Sequence, residues 1–349
     1  MKLGFISTLA LNNSLRASTL NKQTALNSAQ IEVSTGKHAD MGRELGAFTS
    51  AAISLDTQLS LIDQTKVTNG LTANRISTMQ LGLQTTVEAA NDFIGQISAE
   101  ISNNLDGDLI KTIGSSALDQ IHSNFNVTFR GEYLFSGLNS DAKALVDYEG
   151  ADGVPAKTAV QNAFVATFGF AVTDPAASSV TPTDLQNFLD GAFADLFNDA
   201  NWEGLWTGAS ERGIRSKISL KQFTENSTTA HDQVFREVTA ASVMIAEFSQ
   251  GQLNPSALDQ LAQSSVEKMS QSIGLIGKEQ SKMGVIEEQI RAANDQLDFQ
   301  ENVLTTQLSN LTEVDAYEAA LQLRQITTSL EASYATTARI QSLSLLNFL

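Results

Sequence analysis

Three histidines, His38, His122 and His231, are the side chains best suited to hold a metal or move a proton near neutral pH. They stand far apart in sequence, and no His-x-x-x-His pair places two imidazoles on one helical face. With no cysteine, disulfides, thiol nucleophiles and thiolate metal sites are excluded together. "STGKHAD" at 34–40 has the Gly-Lys of a phosphate loop without its leading glycine or its following Ser or Thr. It reads as a helix end, with Gly36 as the C-cap and Lys37 beside the negative end of the dipole. Asp141, Asp147, Glu149 and Asp152 lack the alternation of a calcium loop and read as a solvated acidic face. Trp202 and Trp206 have the ring area to stack a sugar, but anchoring a small core is the plainer role. The glycines of "RGEYLFSGL" punctuate turns. No catalytic, cofactor-binding or metal constellation forms, so the chain reads as a protein that is not an enzyme and uses no cofactor.

What must position these residues follows from composition. The net charge is −17, from 39 acidic and 22 basic side chains, with no basic cluster to meet phosphates. Nucleic acid is therefore not an expected partner. No stretch reaches the ~18 uninterrupted apolar residues of a membrane helix, so membrane insertion is not expected either. The opening "MKLGFISTLALNN" is broken by Ser7 and Thr8 and offers no clean cleavage site, so a removed signal peptide is not expected.

Charge and aromatic content divide the chain. The first 31 residues hold Lys2, Arg16 and Lys22 and no acid, whereas 138–211 holds eleven acids and two lysines. That span also carries three of the four prolines and both tryptophans, and reads as a small inserted α/β unit. Within it, "FVATFGFAV" at 164–172 suggests a strand and "PTDLQNFLDGAFADLFND" a helix.

The flanking arms are helical. Met269, Ile276, Met283, Ile290, Leu297, Leu304 and Leu311 recur every seven residues. At 42% apolar content, one register does this by chance at roughly 0.002. Companion positions are mixed, with Gln280 and Asn294 breaking the pattern, so the seam is narrow, as in a coiled coil. Ile62, Asn69, Ile76, Leu83, Ala90 and Ile97 answer it in the N-terminal arm, where polar Asn69 would fix register. A helix carrying Leu15, Leu26, Ala29 and Val33 ends at Gly36, and another spans 109–130. After "TEVD" at 312–315 a last helical run carries Leu323, Ile326, Leu330, Ile340 and Leu343. The expected fold is mainly α: an elongated, antiparallel, coiled-coil-like bundle of both arms.

The ends remain apolar. "LEASYATTARIQSLSLLNFL" has only Glu331 and Arg339 as charged side chains, and its polar face is made of Ser, Thr, Asn and Gln rather than Lys and Arg. This suits packing among many helices better than a membrane surface. A heterologous repeated contact gives a ring or helical layer.

The quoted ends resemble a known family. "NNSLRASTLNKQTALNSAQIEVSTGKH" is similar to the N-terminal helix of the flagellin superfamily, and "GEYLFSGLNSDAKAL" at 131–145 to its Tyr-x-Phe-x-Gly segment. Within the superfamily, "LEASYATTARIQSLSLLNFL" is most similar to the hook–filament junction family, hook-associated protein 3. Filament flagellins instead end on Ala-Asn-Gln and Pro-Gln stretches. The chain departs from the family at "ADMGRELGAFTS" and "AKAL", where Asp-Asp-Pro and Pro-Phe are frequent.

The resemblance implies a structural adaptor of the bacterial flagellum, exported through the flagellar type III channel without cleavage and placed outside the cell. Filament-forming flagellin is the alternative. Implied partners are other copies of the chain, the preceding hook-associated protein, flagellin and a flagellar export chaperone. The resemblance covers about residues 1–145 and 212–349 and implies assembly segments at 1–44 and 313–349 and a bundle from 45–137 and 212–312, whereas the outer α/β domain at 138–211 is read from composition alone. The expected assembly interface is Leu9, Leu15, Leu330, Ile340, Leu343, Leu346 and Phe348.

Overall fold

The computed structural model describes residues 8–103, 105–219 and 221–346, and is mainly helical. Two compact units are present: residues 1–64 with 297–349, and residues 65–296. Helices α3 (Thr49–Asn103) and α9 (Pro255–Thr312) contribute to both.

In the larger unit, α3 and α9 run antiparallel, cross-linked from Asn69 to Asn294, Gln80 to Glu287 and Gln84 to Gln280. The seven-residue seams face inward as expected: Ile76, Leu83, Ala90 and Ile97 are buried on α3, and Met269, Ile276, Met283 and Ile290 on α9. Helix α4 (Gly107–Phe125) opens on Asp106, whose carboxylate accepts from the Asp108 and Leu109 amides. Gly114 lets α4 lie against α8 (Gln233–Phe248): a Cβ there would stand 2.7 Å from Ile245.

The expected helix to residue 130 stops at Phe125. Asn126 leaves the helix because its side chain is engaged by the backbone of Leu145, donating at 2.8 Å and accepting at 3.1 Å. Residues Thr128–Phe129 (β1) then pair with Glu132–Tyr133 (β2) across a turn in which Arg130 and Gly131 both take positive φ.

Residues 164–172 also depart from expectation. They are not a strand: residues 164–168 end α5 (Val154–Phe168), Gly169 at φ 82° closes it, and 170–172 are irregular. Ala156, Val160 and Phe164 lie four apart and are buried on one helical face, a period that the Phe and Val content obscures. The "PTDLQNF" stretch is helical as read: α6 (Pro182–Phe188), with Thr181 accepting from the Asp184 amide. After it comes α7 (Asp199–Leu205).

The strands of the middle lie at the borders of the acidic span. A second hairpin, Arg215–Lys217 (β3) with Phe223–Glu225 (β4), follows it. The span also has no separate core. Phe164, Phe188 and Phe193 pack on Phe248 of α8 at centroid separations of 5.4, 5.4 and 5.6 Å.

The smaller unit contains α1 (Thr8–Thr35), α2 (Met41–Leu45), parts of α3 and α9, and α10 (Ala316–Leu346). Its buried apolar residues are few: Ala29, Leu45, Ala52, Ile62, Leu297, Ala319 and Leu330 among those described.

Candidate assembly interface

Helices α1 and α10 pair in antiparallel fashion. Lys22 Nζ donates to the Ser329 carbonyl at 3.2 Å and to Ser333 Oγ at 2.6 Å, and Gln23 Nε2 donates to Tyr334 Oη at 2.7 Å. Where the helices begin and end, backbone joins backbone. His38 N donates to Thr312 O at 3.0 Å, and Val314 N to Gly36 O at 2.9 Å. Gly36, at φ 70°, supplies the left-handed turn that ends α1, as its place after "ST" suggests.

Each helix carries apolar side chains on two opposite faces. On α1, Ala29 is buried, while Ile31 lies about 200° round and Leu20 about 180° round, at about 100° per residue. Leu20 is 61% exposed and Ile31 is exposed too. On α10, Ala319 and Leu330 face inward; Tyr317 and Leu321, about 160° and 200° from Ala319, are 79% and 55% exposed. Phe299 and Val303 repeat this on the last turns of α9, away from buried Leu297. A helix that buries one face and bares apolar residues on the other has surface to cover with further neighbours.

Charge permits this crowding. Residues 8–35 contain Arg16, Lys22 and Glu32, and residues 316–346 contain Glu318, Arg324, Glu331 and Arg339. Four basic and three acidic side chains leave the two helices together at +1. All of the net negative charge therefore lies elsewhere.

Of the expected interface residues, Leu15 is half-buried on α1 and Leu330 is buried on α10. Leu9, Ile340, Leu343 and Leu346 fall in these helices, but their side chains lie outside the described residues, as does Phe348 altogether. Leu20, Ile31, Tyr317 and Leu321 were not singled out in the sequence. Their signal was apolar residues about half a turn off the seam.

The residues that suggested chemistry have structural work. His38 contributes its backbone amide to the junction of α1 and α10, and His231 Nε2 lies 3.0 Å from the Ala209 carbonyl. His122 lies within α4. Among the described residues no group of three His, Asp or Glu is placed to hold a metal. Asp152 pairs with Lys143 at 2.9 Å, a hydrogen bond that lowers the carboxyl pKa and raises that of the ammonium. Glu149 pairs with Lys157 at 2.6 Å. Trp202 and Trp206 are fully buried and donate through Nε1 to Ala230 O at 2.8 Å and Leu196 O at 2.9 Å. Burial, and then the charge of Glu247, pushes the Tyr148 hydroxyl above its ordinary pKa, and it donates to Glu247 at 3.1 Å. No described helix is long and apolar enough to cross a membrane.

Comparison with known proteins bears on the same segments. Residues 6–140 match the bacterial flagellin N-terminal helical region, and residues 266–349 match the bacterial flagellin C-terminal helical region. Among solved structures, a presumed flagellar hook-associated protein from Vibrio parahaemolyticus is similar in fold. It has a TM-score of 0.52 at 12% identity, covering 76% of this chain and 97% of that one. No curated protein matches.

Proposed function

We propose that this chain, a structural protein built on both terminal helical regions of bacterial flagellin and not an enzyme, joins the flagellar hook to the filament. Flagellin-type regions imply a place among the axial components of the flagellum, outside the cell. The finer assignment, an adaptor seated between the preceding hook-associated protein and flagellin, is our reading. It includes export without cleavage and a chaperone that covers the C-terminal helix before assembly.

The observation that carries it is the two-faced apolar character of α1 and α10, with Leu20, Ile31, Tyr317 and Leu321 bare in the single chain. Such faces are satisfied by neighbouring helices of the same kind, in a ring or helical layer. We assign residues 1–44 and 313–349 to that contact, with Leu9, Leu15, Leu330, Ile340, Leu343, Leu346 and Phe348 among the packing side chains. Support for a junction over a filament subunit comes from the C-terminal "LEASYATTARIQSLSLLNFL", which resembles the junction family.

Purified protein added to isolated hooks separates the two. A junction protein adds one short layer and then accepts flagellin. Long filaments grown from this protein alone would assign it as a filament flagellin instead.

A further inference from the structure

Charge in the larger unit is sorted into blocks. Residues 158–211 contain seven acids and no Lys or Arg, whereas 212–221 contain Arg212, Arg215, Lys217 and Lys221 and no acid. The second block builds much of the β3–β4 hairpin, and the fold keeps its charge outward. Exposed Arg215 and Lys217 alternate with half-buried Ser216 on β3, and exposed Phe223 and Glu225 with buried Thr224 on β4. Register sets Lys217 opposite Phe223, which is 57% exposed. Arg212 and Lys221 are exposed too, and none of the four cations pairs with a carboxylate among the described residues. The acidic side is equally open. Asp174, Asp184, Asp190, Asp195 and Glu203 are exposed and form no ion pair among the described residues.

The acids around α6 cannot reach the hairpin of their own chain. Gln186 Oε1 accepts from Gln260 Nε2 at 3.0 Å and from Ser264 Oγ at 2.6 Å, which ties α6 near the start of α9. Thr224 Oγ1 donates to Gln289 Oε1 at 3.0 Å, which ties the hairpin farther along the same helix. Ser264 and Gln289 are about 25 residues apart, roughly 37 Å of helix. That is several screening lengths at physiological salt.

We propose that the β3–β4 hairpin is an interaction surface, and that its occupant is the acidic stretch 174–203 of a second copy. A chain of net charge −17 repels its copies unless opposite signs meet locally. Here both signs are present, unpaired and offset along α9. The contact is therefore head-to-tail, and it leaves each copy a free hairpin or a free acidic face for the next. Phe223 beside Lys217 supplies apolar area within a charged rim, the usual anatomy of such a contact. Flanked by Glu211 and Glu225, the basic run is too short for a nucleic-acid backbone and suits a patch of protein carboxylates. The contact does not depend on whether the assembled protein is a junction or a filament subunit.

Sedimentation velocity of the purified full chain, over a range of concentration and salt, tests the proposal with two double variants. Lys217→Glu/Lys221→Glu reverses the hairpin, and Asp190→Lys/Asp195→Lys reverses the acidic stretch. All four positions are exposed, so circular dichroism should match the native chain. The native chain should self-associate at physiological salt and dissociate as salt rises. Each variant alone should associate about tenfold or more weakly, because like charges then face each other. An equimolar mixture of the two variants should recover association, since the reversed hairpin of one meets the reversed stretch of the other. A native chain that stays monomeric, variants that associate as the native chain does, or a mixture no stronger than either variant alone would overturn the proposal. Loss in the hairpin variant with none in the acidic variant would also overturn it, and would give the hairpin a different acidic partner.

Discussion

Asn69 Nδ2 lies 2.7 Å from Asn294 Oδ1 and donates to it across the seam between α3 and α9. The same nitrogen donates at 2.8 Å to the Ile218 carbonyl, beside the end of β3. Asn69 is fully buried and Asn294 half-buried, so these two of the three polar breaks in the seams are one feature seen from both helices. A polar pair inside an apolar seam costs stability and specifies which turns face each other.

Asn69→Ala should therefore destabilise the chain by about 1–3 kcal/mol, since it strips the buried Ile218 carbonyl and the half-buried Asn294 Oδ1 of their donor. Asn294→Ala should cost less, because Asn69 keeps its bond to Ile218. Ile290→Ala, in the apolar part of the same seam, should cost about 2–5 kcal/mol. Urea melts of the three variants check the order; equal losses at all three would mean that the seam is not organised around the pair.

Phe248 of α8 is fully buried and sits beneath Phe164, Phe188 and Phe193 of the acidic span. Replacing 138–211 by a Gly-Ser linker would expose this ring and the Ala230 carbonyl that Trp202 satisfies. The larger unit should then melt at lower temperature or aggregate. Phe248→Ala alone should cost about 3–5 kcal/mol. A linker variant that melts like the native chain would show that the span is a detachable appendage.

Burial, and then the charge of Glu279, raises the carboxyl pKa of Asp232. The native state consequently holds that proton at pH values where the unfolded chain has released it. Stability from this group is present below the ordinary carboxylate pKa and is lost as pH rises through the raised value. Asp232→Asn retains an acceptor for the Thr229 amide and should flatten this part of the curve. The variant should gain on the native chain toward neutral pH and match it in acid. Parallel melting curves from pH 3 to 8 would contradict the assignment.

Leu20 and Leu321 are exposed in the single chain, so Leu20→Asp and Leu321→Asp should shift monomer stability by no more than about 0.5 kcal/mol. Both should block addition to hooks, because a carboxylate would be buried at each repeated contact. Sedimentation of hook mixtures measures incorporation. Normal incorporation of both variants would remove the outer faces from the interface.

Much of this architecture was legible in the residues. The spacing of Met269 through Leu297 and of Ile62 through Ile97 marked the buried lines of α9 and α3, and Gly36 marked the end of α1. The outer faces were harder to read. The side chains of Leu20 and Tyr317 are exposed, and periodicity reports burial rather than a surface left for a neighbour. The pairing of Asn69 with Asn294 required knowing the register of helices more than 200 residues apart. The strand assigned to 164–172 failed because Phe and Val favour strands by composition, whereas packing on Phe248 selects the helical period.

As proposed, this protein seats the filament on the hook. Electron microscopy of a strain lacking it, complemented in parallel by the native gene, tests that claim most directly. Complete hooks without filaments, flagellin released into the medium, and filaments restored by the native gene are expected. Filaments of normal length, firmly attached to their hooks in the strain without the protein, would contradict it.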